Sequence, residues 1–192
     1  MGEQRIIIMD SDTVTRRAMK AMLKKLGYWV VGEAGDVLQG LKLVRTRQPD
    51  LVIIDAGMPG MDELEVPQII HEDKLAPVIL LSSGQSGILE KAKDARVYAL
   101  LHKPVEESVL YNTVELAMVN YQELVKLEGR VKDMQDMLEQ RKLVEKAKGI
   151  LMQTMGLSEG EAFRRMQKQS MNKRVSLRAV AEAVIMAHNL KT

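Results

Sequence analysis

The stretch Leu51-Val52-Ile53-Ile54-Asp55-Ala56-Gly57-Met58-Pro59-Gly60-Met61-Asp62 decides the fold. Leu51–Ile54 is an unbroken apolar run, rich in β-branched side chains. Such a run suits a strand buried on both faces, as strands are in parallel sheets covered by helices. It stops at a carboxylate, and Gly57, Pro59 and Gly60 then break any regular element. The same grammar recurs on either side. Arg5–Met9 is a short apolar run ending in acids, and Trp29–Ala34, Pro77–Leu81 and Ala99–His102 read as further strands. Between them, Thr13–Leu26 carries Val14, Ala18, Met22 and Leu26 at helical spacing. Leu38–Arg47, Glu65–His71 and Ile88–Ala95 read as helices too. Strands alternating with helices predict βαβ units and an α/β fold with a doubly wound, five-stranded parallel sheet.

In open sheets of this kind the ligand crevice lies beyond the carboxyl ends of the strands. Asp10 and Asp12 follow the first strand, Asp55 ends the third, and Ser82 follows the fourth. Lys103 ends the fifth, just before Pro104. Clustered carboxylates bind a hard divalent cation such as Mg²⁺ through oxygen. A carboxylate beside such an ion can attack phosphorus, and the ammonium and hydroxyl can hold the phosphate oxygens. Any single acid could serve as a helix cap instead, and Asp12 stands directly before Thr13.

After Pro104 the pattern changes. From Val105 to Met155 there is no proline, and the glycines are Gly129 and Gly149. Leu110, Val114, Ala117, Tyr121 and Leu124 follow a 4-3-4-3 spacing, and Leu127, Val131, Met134 and Leu138 resume it after a stammer-like shift. This predicts one long helix, or two in tandem, with a dimerisation seam of Tyr121, Leu124, Leu127, Val131, Met134 and Leu138. A helix packed on its own globular body is the other reading of the stripe. Ser158-Glu159-Gly160-Glu161 forms a capping box that starts a short helix. Ser176 can cap a last helix carrying Leu177, Val180, Ala181, Val184 and Ile185. The end of the long helix and these two make a small three-helix, all-α unit. Met152, Met155, Met166, Met171 and Phe163 are assigned to its core. Gly149 lies inside a helix, where it costs about 1 kcal/mol relative to alanine. Close approach of another helix or of a nucleotide would account for it. The expected division is therefore 1–120, 121–140 and 141–192.

Composition bounds the function. The 192 residues include 28 Lys+Arg and 26 Asp+Glu, a net charge of +2. That sum conceals an asymmetry. Residues 1–125 hold 14 basic and 18 acidic groups, net −4, whereas residues 126–192 hold 14 and 8, net +6. A basic tail behind an acidic body points to an anionic partner for the tail. The absence of cysteine excludes a disulfide scaffold, a thiolate metal site and a cysteine nucleophile. No apolar run approaches the roughly 18 residues a spanning helix needs. The start has no secretory h-region, so a cytoplasmic protein without membrane attachment is expected.

Residues 5–120 resemble the receiver domain of two-component response regulators, on IIIMDSD, LVIIDAGMPGMD, LLSS and HKPV. The resemblance implies a flavodoxin-like fold. It makes Asp55 the phospho-acceptor, and places Asp10, Asp55 and the Gly57 carbonyl at a Mg²⁺ site, with Asp12 as a candidate additional ligand. Ser82 is then the switch hydroxyl and Lys103 the phosphate-binding lysine, and a sensor histidine kinase is the implied partner. The sequence departs from the pattern at Ser11, where a second acid is usual, which implies weak Mg²⁺ binding. It departs also at Glu63, where glycine is usual, and at Leu100, where an aromatic is usual. His102, beside the lysine, reads as a local substitution.

From Arg141 the chain resembles the ANTAR family of RNA-binding transcription antiterminators. The resemblance rests on Glu145–Met152, Gly156–Glu159, Glu161–Phe163, Ser170–Arg174, Leu177 and Ala181. Lys148, Arg164, Arg165, Lys168, Lys173 and Arg174 are candidate phosphate contacts, and Asn172 and Arg174 can read unstacked loop bases. Together the resemblances imply a non-enzymatic, dimeric antiterminator that binds tandem stem-loops in leader RNA under control of Asp55. Such a protein would reach the RNA polymerase elongation complex indirectly. Two alternatives stay open at this point. One is a DNA-binding regulator with a helix-turn-helix output. The Ser170–Val175 connection is basic, and the last helix carries just Arg178 and Lys191 as basic residues, which disfavours it. The other is an antiterminator whose receiver is degenerate and works without phosphorylation.

Overall fold

The computed structural model describes residues 4–59, 65–84 and 86–190. Five parallel strands, β1 (Arg5–Met9), β2 (Trp29–Ala34), β3 (Leu51–Asp55), β4 (Val78–Ser82) and β5 (Ala99–His102), form one sheet in the order β2-β1-β3-β4-β5. The helices between them are α1 (Thr13–Lys25), α2 (Val37–Arg47), α3 (Glu65–Glu72) and α4 (Ile88–Asp94). The α/β class and strand succession expected from the sequence are those observed. Every residue of β3 and β4 is buried, as central strands covered on both faces must be.

Two apolar layers flank the sheet. Side chains alternate along each strand, so Ile7, Met9, Val52, Ile54 and Leu80 face one layer, with Val37, Val44, Val66 and Ile70 from the helices. Ile6, Ile8, Ile53, Ile79 and Leu81 face the other, with Met19 and Leu23 of α1. Leu110, Val114, Ala117 and Met118 complete this second layer. The first turns of the long stripe are therefore receiver core.

The chain divides into two compact units, residues 1–125 and 126–192. The stretch 121–140, expected as a separate linker, has no unit of its own, because α5 (Glu107–Met155) is a single helix that serves both. In the second unit α5 is followed by α6 (Glu159–Lys173) and α7 (Leu177–Asn189). Val144, Ala147, Met166, Val180 and Ala181 form its core, with Phe163 and Leu177 packed against them. The capping box is present: the Ser158 N–H donates to Glu161 Oε2 at 2.9 Å. Ser176 Oγ accepts from the Ala179 N–H at 3.1 Å and starts α7.

Two expectations for this unit are corrected. Among the four methionines assigned to the core, Met166 is buried at 1% exposure, while Met152, Met155 and Met171 are 39, 48 and 78% exposed. Their helical positions fall off the narrow face that a three-helix unit can cover. The connection between the last two helices is also shorter than Ser170–Val175. Helix α6 runs on to Lys173, and Arg174 closes it in the left-handed region at φ 54°. Ser170 Oγ donates to the Val175 carbonyl at 2.6 Å and ties the turn.

Candidate functional site

The crevice at the carboxyl end of the sheet is built by register. β1 and β3 run side by side with Met9 opposite Ile54, so the next residues, Asp10 and Asp55, arrive together. β4 and β5 pair Ser82 with His102, and the Lys103 N–H donates to the Ser82 carbonyl at 2.8 Å, extending the ladder by one step. The Lys103–Pro104 peptide bond is cis. Lys103 Nζ lies 2.7 Å from Asp10 Oδ2 and 2.8 Å from Asp55 Oδ1. Asp10 is fully buried and Asp55 is 7% exposed. Burial works against the Lys103 charge, but its close contacts with Asp10 and Asp55 and the charges of both acids outweigh it and raise its pKa. A cation between two buried carboxylates offsets the desolvation that each would otherwise suffer.

The remaining polar contacts fix the acids. Asp10 Oδ1 accepts from the Asp12 N–H at 2.8 Å, and the Arg16 guanidinium donates to the Asp10 carbonyl. Buried Ser82 accepts from the Gly84 N–H at 3.0 Å. Asp55 Oδ1 differs from these. It is buried and no donor is aligned on it, so the 2.8 Å approach of Lys103 is an ion pair without hydrogen-bond geometry. An acceptor oxygen of this kind, beside Asp10 and ahead of the Gly57 carbonyl, fits a hard divalent cation. The donor set is all oxygen, as Mg²⁺ requires. Among the described residues no group of three or more acids or histidines gathers, so Asp10, Asp55 and Gly57 would hold the ion together with water.

Asp12 is not part of that set. Its Oδ1 accepts from the Val14 N–H and its Oδ2 from the Thr15 N–H, both at 3.1 Å, and from Thr15 Oγ1 at 2.6 Å. It caps α1, and the Thr15 hydroxyl, followed by the two backbone donors, lowers its pKa. His102 is exposed at the end of β5. Leu100, in the position of the usual aromatic, packs against the first apolar layer. Glu63 lies outside the described residues.

In the second unit the cations divide into two groups. Lys148 is 7% exposed and its Nζ sits 2.7 Å from Glu159 Oε1 and 2.9 Å from Glu145 Oε1. Hydrogen bonds to Glu159 and then Glu145 raise its pKa. This corrects its reading as a phosphate contact, because its charge is used to clamp α5 to the start of α6. Arg178 pairs with Glu182 at 2.9 Å and approaches Glu139 at 3.8 Å. Arg164, Arg165, Lys168, Asn172, Lys173 and Arg174 are all exposed, and among the described residues none of these cations has an acid within ion-pair distance. Arg165, Lys168 and Asn172, at spacings of three and four, share one exposed face of α6.

The dimerisation stripe is divided as well. The Tyr121 hydroxyl donates to the Lys74 carbonyl at 3.0 Å, and its ring meets Tyr98 edge-on at 5.7 Å. Tyr121 is therefore occupied in the receiver. Leu124, Leu127, Val131, Met134 and Leu138 are 37 to 63% exposed along α5.

Comparison with known proteins agrees with both halves of this description. A family model of the response regulator receiver domain matches residues 6–115, and one of the ANTAR domain matches residues 132–185. The transcriptional regulatory protein PdtaR of Mycobacterium tuberculosis is 37% identical over 183 residues, covering 95% of this chain and 89% of that protein. The chain belongs to the ANTAR-type response regulators. Solved structures similar to this response regulator match its receiver. A DNA-binding response regulator of the LuxR family from Staphylococcus aureus aligns with a TM-score of 0.57 and 29% identity, covering 60% of this chain and 98% of that one. A CheY-like receiver protein from Methanospirillum hungatei aligns with a TM-score of 0.59 at 22% identity, over 64% of this chain and 98% of that one. At that identity the likeness speaks to the fold alone. Among the described residues no helix is long and apolar enough to cross a membrane.

Proposed function

We propose that this response regulator binds tandem RNA stem-loops through its C-terminal unit and prevents transcription termination when Asp55 is phosphorylated. In the transfer itself, a carboxylate oxygen of Asp55 forms a bond to phosphorus. The bond from phosphorus to the kinase histidine breaks, and the imidazole leaves with its electron pair. Lys103, 2.8 Å from Asp55, would hold a phosphate oxygen, and Ser82 would donate its hydroxyl to another. Mg²⁺, held by Asp10, Asp55 and Gly57, would neutralise the charge on the phosphoryl oxygens. No external substrate is turned over.

The output reading is carried by one observation: a group of exposed, unpaired cations, Arg164, Arg165, Lys168, Lys173 and Arg174, lies on α6 and its C-terminal turn. Helix α7, which a helix-turn-helix would insert into the major groove, carries Arg178 already paired with Glu182. A basic helix face with few aromatics suits phosphate contacts around a hairpin loop. The exposed stripe Leu124, Leu127, Val131, Met134 and Leu138 suits a two-stranded coiled coil, which would link two such units and give avidity for adjacent stem-loops. Gel-shift titration of the full chain against a two-hairpin leader RNA and the duplex DNA of the same sequence tests this. The RNA is expected to bind at least tenfold more tightly, and preference for the duplex would overturn it.

A further inference from the structure

Gly149 has no explanation inside the chain. A side chain there would meet nothing within 4 Å among the described residues, so no neighbouring element of its own unit needs the space. Glycine nevertheless weakens the helix that holds it. Its surroundings on α5 are specific. With Val144, Ala147 and Ile150 buried and about 100° of turn per residue, Lys142, Lys146, Gly149 and Gln153 share an arc of about 60° on the outer side. Lys142, Lys146 and Gln153 are exposed, and no acid lies within ion-pair distance of either lysine among the described residues.

We propose that this face of α5 is a second RNA-backbone contact, at which the missing side chain of Gly149 lets a phosphodiester strand approach the helix between Lys142, Lys146 and Gln153. The proposal rests on the RNA-binding reading above and extends it from α6 to α5. Charge selects the occupant. Two lysines flanking an open backbone attract a polyanion, whereas a second copy of the same face would bring four ammonium groups together. Openness alone is not enough. Gly129 is open too, but the residues at the same spacings from it, Gln122, Lys126 and Asp133, set one lysine against one acid, so that arc carries no net charge.

The test begins with hairpins enriched by the wild-type full chain from a pool of randomised loops. Affinity is then measured for Gly149→Ala, Gly149→Leu and the Lys142→Gln/Lys146→Gln pair. Both glycine replacements favour helix, so the thermal midpoint of helical circular dichroism should hold or rise. RNA affinity should fall, slightly for Gly149→Ala and tenfold or more for Gly149→Leu. The lysine pair should lower the salt slope of binding by about 1.5. Enriched hairpins that bind Gly149→Leu and the lysine pair within twofold of wild type would overturn this inference and leave the RNA reading standing. Should Gly149→Leu unfold, the lysine pair decides alone, since both positions are exposed. Failure to enrich any hairpin would overturn both. A Gly149→Leu chain that loses dimer mass in light scattering yet binds one hairpin normally would assign the face to a second copy, against the proposal.

Discussion

Replacing Lys103 with methionine removes the cation that, among the described residues, touches both buried acids. Asp10 is then left with its side chain fully buried, and Asp55 with 9% of its side chain exposed, at a site where Nζ had stood 2.7 and 2.8 Å away. Breaking a buried pair by deleting one partner costs about 3–5 kcal/mol. The lower end applies here, about 3 kcal/mol, because Lys103 keeps a fifth of its side chain exposed and solvent screens part of the interaction. With a urea m-value of about 2 kcal/mol/M for a domain of this size, the receiver midpoint should fall by about 1.5 M. Trp29 is the single tryptophan of the chain and sits on β2 at 56% exposure, so its fluorescence follows the receiver transition alone. Adding Asp55→Asn to Lys103→Met should restore most of the loss by removing one of the orphaned charges. Mg²⁺ should raise the midpoint of Lys103→Met more than that of wild type, as the ion takes over from the ammonium. A Lys103→Met midpoint within 0.3 M of wild type, or no recovery on adding Asp55→Asn, would refute the electrostatic account of the crevice.

Other outcomes follow from the same contacts. Asp12→Ala should cost about 1 kcal/mol through the lost α1 cap and leave Mg²⁺ affinity, measured by isothermal titration calorimetry, within twofold. A large loss of affinity would return Asp12 to the metal site. Met166→Ala, at 1% exposure in a small core, should cost about 2–5 kcal/mol and lower the thermal midpoint of the helical unit. An unchanged midpoint would contradict the packing of α6. Burial, followed by the hydrogen bond to Glu115 at 2.7 Å, raises the pKa of Tyr28. The folded state thus favours the protonated phenol, and its contribution is full below the ordinary pKa near 10 and lost as pH rises above it. Alkaline unfolding of the receiver should accordingly be shallower in Tyr28→Phe than in wild type.

The sequence made the crevice readable because one rule, ligands beyond the carboxyl ends of parallel strands, turns strand boundaries into site residues. Asp10, Asp55, Ser82 and Lys103 follow from where four apolar runs stop, although Lys103 lies 93 residues from Asp10. What escaped depended on partners that periodicity does not supply. Lys148 reads as one more surface cation until Glu159, across the turn after α5, is seen to hold it. Tyr121 keeps heptad spacing with Leu124, yet its hydroxyl reaches Lys74 from the other side of the receiver. The end of α6 was misplaced because Ser170, a residue that bonds nearby backbone and favours helix ends, bonds the Val175 carbonyl from inside the helix. Asp12 carried both readings from the start, and the hydrogen bonds to Val14 and Thr15 decide for the cap.

The central claim is that phosphate on Asp55 strengthens RNA binding by the C-terminal unit. Its most direct test is the affinity of the full chain for a two-hairpin RNA, measured with Mg²⁺ and with or without a small phosphodonor, for wild type and Asp55→Asn. The expected result is a tenfold or greater tightening in wild type, with a mass shift of one phosphoryl group, and no response in Asp55→Asn. Equal affinity in all four arms would show a receiver that works without phosphorylation and would contradict the account.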